Sequence, residues 1–254
     1  MDKATDNSIQ IDARGVYYRD LNASVREAIA RGVKQIKLLN VNGQRYIADG
    51  LDRQVSIEVH GVPGNDLGAF MNGATVTVYA NAQDAVANTM NAGKIVVHGS
   101  AGDVLGYGMR GGKLFVRGNV GYRVGIHMKS YKKQVPIIIA GGCAGDFLGE
   151  YMAGGIVVVL GLNVGTPHGS SVAGNYIGTG MHGGSIYLGA EADPRRFGKE
   201  IGITPLNEED NQLLKELLGE FCADFDLNAD EVLSRSFTKL TPHSHRPYGK
   251  YYAY

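Results

Sequence analysis

The six methionines that follow Met1 fall in one series, Met71, Met90, Met109, Met128, Met152 and Met181, separated by 19, 19, 19, 24 and 29 residues. A unit of 19 residues, with insertions of 5 and 10 in the last two intervals, accounts for all of them. Other columns keep step. Four residues before each Met stand Leu67, Val86, Leu105, Val124, Leu148 and Ile177, all aliphatic. Three before stand Gly68, Ala87, Gly106, Gly125, Gly149 and Gly178; seven before stand Gly64, Gln83, Gly102, Gly121, Gly145 and Gly174. Self-similarity at a fixed short period is the mark of a solenoid, in which each repeat buries its apolar face only against its neighbours. Both glycine columns read as corners, since glycine alone takes left-handed conformations without steric cost. The second repeat, with Gln83 and Ala87 in their place, is expected to turn differently.

Upstream of each corner the sequence alternates with the period of a strand. The columns Val59, Val78, Val97, Val116, Ala140 and Ile57, Val76, Ile95, Leu114, Ile138 lie two residues apart, so both face one way, inward. These features predict an all-β protein, a right-handed parallel β-helix of about seven rungs spaced ~4.8 Å apart, with each column a ladder of like side chains. The column between them runs Glu58, Thr77, Val96, Phe115, Ile139 and then Val158, polar at first and apolar later. A contiguous apolar stripe on an outer face marks a covered surface. Phe115, Ile139 and Val158 are therefore candidate contacts, beneath the C-terminal helix or beneath another subunit.

Residues 1-54 read as a small α/β cap: a strand at Ile9–Ile11, a helix on Leu21, Val25 and Ile29 with Ser24 and Glu27 as a capping box and Gly32 as its stop, then strands near Ile36–Leu39 and Tyr46–Ala48. The Asn42-Gly43 pair between those two strands predicts a hairpin. Residues 55-190 form the solenoid. Residues 191-254 carry a helix beginning at Asn207, with Leu213, Leu214, Leu217, Leu218 and Phe221 on one face, then a shorter helix and a tail rich in tyrosine. That tail, which includes Tyr248, reads as frayed or as an arm docked on this protein or a neighbour.

With 25 Lys plus Arg against 25 Asp plus Glu, the chain lacks the cationic excess by which nucleic-acid binders displace counterions. No apolar run approaches the ~18 residues of a membrane span, and the polar N-terminus does not read as a secretion signal. Cys143 and Cys222 fit no disulfide or zinc spacing. A cytoplasmic protein is expected.

The glycine columns, together with Gly178-Thr-Gly-Met-His-Gly-Gly-Ser-Ile-Tyr187, resemble the GXGXG β-helix domain. In glutamate synthase that domain closes the large subunit, and elsewhere it occurs as a separate chain. The likeness covers roughly residues 50–190, and Phe237 to Tyr248 resembles the tail of the stand-alone version. It implies a non-catalytic assembly subunit, with FMN and iron-sulfur clusters on a synthase partner and a glutaminase-type subunit delivering ammonia to 2-oxoglutarate. No catalytic, cofactor-binding or metal residue carries over to this chain. A related chain is the β-helix subunit of formylmethanofuran dehydrogenase, which shares the repeat.

Other motifs have plainer structural readings. Gly106-Tyr-Gly-Met-Arg-Gly111 and Gly178-Thr-Gly-Met-His-Gly183 match GxGxxG, but strands follow where a dinucleotide site needs a helix. The column Asn65, Asp84, Asp103, Tyr122, Asp146, Asn175 suggests calcium, yet Asx beside glycine forms turns. His60, Tyr79, His98 and Arg117 point outward, as solvated surface or as a docking ridge. The two insertions are candidate partner-contact loops: 130–136, basic through Lys132 and Lys133, and 162–173, holding His168. An autonomous enzyme or ligand-binding protein with its site in those loops is the competing class. Open rung ends make a homo-oligomer a further expectation.

Overall fold

The structure, a computed structural model, describes residues 7–162 and 171–244. Eleven strands form one sheet in the order β1-β2-β3-β4-β5-β6-β7-β8-β9-β11-β10. The first nine are β1 (Ser8–Asp12), β2 (Gln35–Asn42), β3 (Ser56–Val62), β4 (Asn72–Val78), β5 (Ala92–Val97), β6 (Lys113–Val116), β7 (Ile137–Ala140), β8 (Ala153–Val159) and β9 (Gly183–Leu188), and each runs parallel to the next. Register follows the repeat: Ile57 lies opposite Val76, Val76 opposite Ile95, Ile95 opposite Leu114, and Leu114 opposite Ile138. Both inward columns and all six methionines are buried in one continuous core. The predicted parallel β-helix is therefore the fold.

The corners follow one plan. At five, three and one residues before each Met the backbone is left-handed, as at Phe147, Gly149 and Tyr151, with φ of 62°, 69° and 52°. Ala87 adopts φ 61° like the glycines of its column, so the second repeat turns as the others do, contrary to the expectation from its missing glycines. The glycines seven before Met have another role. None is among the left-handed residues; instead a Cβ on Gly102 would lie 2.0 Å from Asp84 Oδ1, and one on Gly174 2.2 Å from Asp146 Oδ1. Gly102, Gly121 and Gly174 make room for the aspartate side chain of the rung below, and Gly64 and Gly145 for its backbone. That side chain is a cap: Asp84, Asp103 and Asp146 accept the backbone N–H of Asp103, Tyr122 and Asn175 at 2.8, 2.8 and 2.7 Å. Three residues earlier Asn81 and Asn119 do the same for Ser100 and Cys143.

Methionine suits its column because it is long and unbranched. Its methyl reaches over a glycine in the next rung, where a Cβ would stand 2.5 Å from Met90 Cε at Gly112 and 2.5 Å from Met152 Cε at Gly184.

The ladder does not begin at residue 55. β2 pairs in parallel with β3 and β1 with β2, and the expected hairpin at Asn42-Gly43 is absent. Residues 43–51 form another corner, with Tyr46, Ala48 and Gly50 left-handed. Leu51 takes the methionine place: its carbonyl accepts the N–H of Asn72 as that of Met71 accepts Asn91. Helix α1 (Tyr18–Ala30) crosses from β1 to β2 and buries Leu21, Val25 and Ala28. It starts a turn before Ser24, whose hydroxyl bonds the Asp20 carbonyl instead of forming a capping box.

At the other end α2 (Glu208–Phe225) starts with a capping box between Asn207 and Asp210. Its buried Leu214, Leu217, Leu218, Phe221, Cys222 and Phe225 lie on the outer face of the sheet against Val96, Phe115, Ile139, Val158 and Tyr187, forming a second core. α3 (Ala229–Leu233) follows. Thr238–Pro242, part of the expected tail, is strand β11, set antiparallel between β9 and β10 (Ile201–Thr204).

Candidate functional site

The apolar outward stripe is covered by the chain itself. Phe115, Ile139 and Val158, candidate contacts from the sequence, are wholly buried beneath α2 and are not open to a partner while it is docked. Two polar clamps hold the helix. Asp210 accepts the Tyr187 hydroxyl at 2.6 Å and Lys239 Nζ at 2.8 Å, joining α2 to β9 and β11. Burial alone would raise the Asp210 pKa, but Lys239, Tyr187 and the Asn207 amide together hold it below the ordinary carboxylate value. The same burial, and the hydrogen bond to Asp210, push the Tyr187 phenol well up. Further down the helix Glu220 binds Lys113 and Lys94, and Asp224 lies 2.5 Å from Lys94. These groups are consumed in docking α2, so neither cluster stands ready for chemistry.

The insertion after Met128 projects Lys132 and Lys133 into solvent from a small two-residue bridge between Tyr131 and Gln134. Its exposure leaves it available for contact. His168 and Tyr248 lie outside the described residues, as does most of the loop 162–173. The column His60, Tyr79, His98 is a stack, with ring centroids 4.7 and 4.9 Å apart, and His98 meets the edge of Phe225. Burial, then Arg117, lowers the His98 pKa, which keeps the imidazole neutral near pH 7. A groove of about 380 Å³ opens beside it, between Arg117, Ser100 and Leu227.

Both GxGxxG segments are corners, with Gly106 and Gly108 at φ 65° and 56° and Gly178 and Gly180 at 65° and 69°, each leading into a strand. The aspartate column caps rungs through its oxygens, which is the turn reading of those residues. Among the described residues no three His, Cys, Asp or Glu side chains are grouped to hold a metal ion. Nor is any helix there long and apolar enough to cross a membrane.

One surface escaped the sequence reading. Along the left-handed corners of the later rungs His127 stacks on Tyr151 at 5.2 Å and Phe147 on Tyr176 at 4.9 Å, with the Arg123 guanidinium 4.6 Å above Phe147. Arg123 also pairs with the buried Glu150. The signal was present one and five residues before each Met, columns that hold little glycine and so did not stand out beside those that do.

A solenoid of left-handed corners with a helix sealing one face defines a parallel β-helix class. The chain belongs to the GXGXG motif family, whose pattern it matches over residues 21–244. It is 48% identical over 250 residues to the uncharacterized protein MJ1350 of Methanocaldococcus jannaschii, the match covering 96% of each chain. Its fold is similar to that of a chain in the formyltransferase/hydrolase complex FhcABCD of Methylorubrum extorquens, solved with methylofuran. There the TM-score is 0.63 at 20% identity, over 91% of this chain and 93% of that one.

Proposed function

We propose that this protein is a non-catalytic assembly subunit of a glutamate synthase-like complex, around which catalytic partners are held. The observation that carries the scaffold reading is the continuous parallel ladder from β1 to β9, filled by apolar side chains, in a member of the GXGXG family. A stack whose rungs each lock the next through backbone, Asx and methionine contacts makes a stiff rod, which suits positioning of other subunits. In this reading a partner carries FMN and iron-sulfur clusters, a glutaminase-type subunit releases ammonia, and this chain binds neither cofactor. The exposed loop at Lys132 and Lys133 is its first candidate contact.

A second reading has its own support. The similar fold in a formyltransferase/hydrolase complex, nearly end to end, favours a role beside one-carbon enzymes. Affinity purification of the tagged chain from its native cell, followed by mass spectrometry and flavin absorbance, separates the two. Recovery with an FMN/iron-sulfur protein and a glutaminase supports the first, and recovery with formyl-transferring or hydrolysing subunits replaces it with the second. Turnover of glutamine or NAD(P)H by the isolated chain would defeat the scaffold reading altogether.

A further inference from the structure

The groove beside His98 is supplied with hydrogen-bond donors and has no carboxylate to meet them. Its polar lining is Asn81, His98, Ser100 and Arg117, and its apolar lining is Leu162 and Leu227. His98 and Arg117 hold like positions in successive rungs, because the Arg117 amide bonds the Val97 carbonyl as the His98 amide bonds that of Val78. Their backbones therefore lie ~4.8 Å apart. Among the described residues the exposed Arg117 guanidinium has neither an ion-pair nor a hydrogen-bond partner. Asn81 spends its oxygen on the Ser100 amide at 2.9 Å, which leaves its own N–H groups unengaged. Ser100 Oγ accepts the Asn119 amide at 3.1 Å and keeps its proton to donate. The neutral His98 ring retains one N–H.

The charge in the groove is small and of one sign. Arg117 is its only permanent cation, and Asp224, the carboxylate nearest His98, is taken by Lys94. A planar guanidinium with open N–H groups in a concave site matches a carboxylate, to which it can donate twice. One positive charge beside a neutral imidazole balances one negative charge. The two leucines also line an adjoining cleft of about 200 Å³, where Glu231 stands and Arg235 donates to the carbonyls of Gly161 and Gly189 at 3.4 and 3.3 Å. Glu231 repels a second anionic end, so what crosses the leucines is uncharged.

We infer that this groove binds a monocarboxylate with a short aliphatic stem. Its head meets Arg117 and the donors of Asn81, His98 and Ser100, and its stem lies across Leu162 and Leu227. The site does not depend on the partners proposed above.

The test is titration of the full chain with hexanoate, followed by calorimetry and by the NMR signal of the His98 ring, assigned with His98→Gln. A saturable shift at millimolar concentrations is expected. Arg117→Gln should leave thermal melting unchanged, since the side chain has no partner to lose, and should weaken hexanoate by about 10-fold or more. Leu227→Ser should weaken hexanoate several-fold and leave acetate, which lacks the stem, unaffected. Hexanol, without the charge, and inorganic phosphate, without the stem, should each bind at least about 10-fold more weakly than hexanoate. No saturable shift by tens of millimolar, hexanol or phosphate binding as well as hexanoate, acetate weakened as much as hexanoate by Leu227→Ser, or binding untouched by Arg117→Gln would each overturn the proposal.

Discussion

Gly149 shows how little room a corner leaves. Its φ is 69°, and a Cβ there would stand 2.6 Å from Ile186 Cδ1 on the next strand but one of the stack. Gly149→Ala therefore combines left-handed strain with overpacking, and a loss of about 2–4 kcal/mol of unfolding free energy is expected in urea titration. Ile186→Val should return part of it, because the same contact at Gly125, where the neighbour is Val157, is 3.2 Å. The capping column makes a separate prediction. Asp84→Ala removes the acceptor of the Asp103 amide, a solvent-exposed hydrogen bond, and should cost about 0.5–1.5 kcal/mol, whereas Asp84→Asn keeps the accepting oxygen and should be nearly neutral. A calcium site would respond the other way, losing affinity in both variants.

Helix α2 is held by apolar burial and by carboxylates whose charge is part of the dock. Asp210 and Glu220 each feel burial pushing their pKa up, but the hydrogen bonds and charges of Lys239, Tyr187, Lys113 and Lys94 bring both below the ordinary value. A folded-state pKa below the unfolded one means stability that is present above the unfolded pKa and lost as pH falls through the folded one. For Lys94 burial pulls down, yet Asp224 and Glu220 raise it overall, and Tyr187 is raised as well. Stability from a raised group is present below its unfolded pKa and lost as pH rises through the folded value. Docking of α2 should accordingly hold between about pH 4 and 10 and weaken outside that window. Near-ultraviolet circular dichroism of the buried Tyr187 follows the loss, while the far-ultraviolet strand signal should persist longer because the inner core contains none of these groups.

For the whole molecule the unit of construction is one rung, and it should be removable as one. Deleting residues 72–90 joins Met71 to Asn91, which leaves every inward column in register and the contacts of Lys94 with α2 in place. Such a chain is expected to fold, with a lower melting temperature because one nearest-neighbour interface is gone. Deleting 73–90, one residue fewer, turns the apolar columns of the following strand outward and should abolish cooperative melting.

Most of the solenoid was legible in the chain because a repeat writes its geometry many times over: Met71 to Met181 and the aliphatic columns recur whatever the details of any one rung. The rung at Leu51 escaped, since leucine satisfies the same space without the sulfur that marked the series. Ala87 misled for a related reason, because stacked neighbours impose a left-handed turn that local preference opposes. What only the tertiary structure decided was which surfaces are spent and which remain. Phe115, Ile139 and Val158 look like an open interface until α2 folds back over them from more than 50 residues away. The stacked rings of Phe147 and Tyr176 form a ridge only when the backbone brings two corners, 29 residues apart, into contact. Periodicity fixes contacts between like positions; the meeting of unlike segments depends on where the chain ends travel after the stack is made.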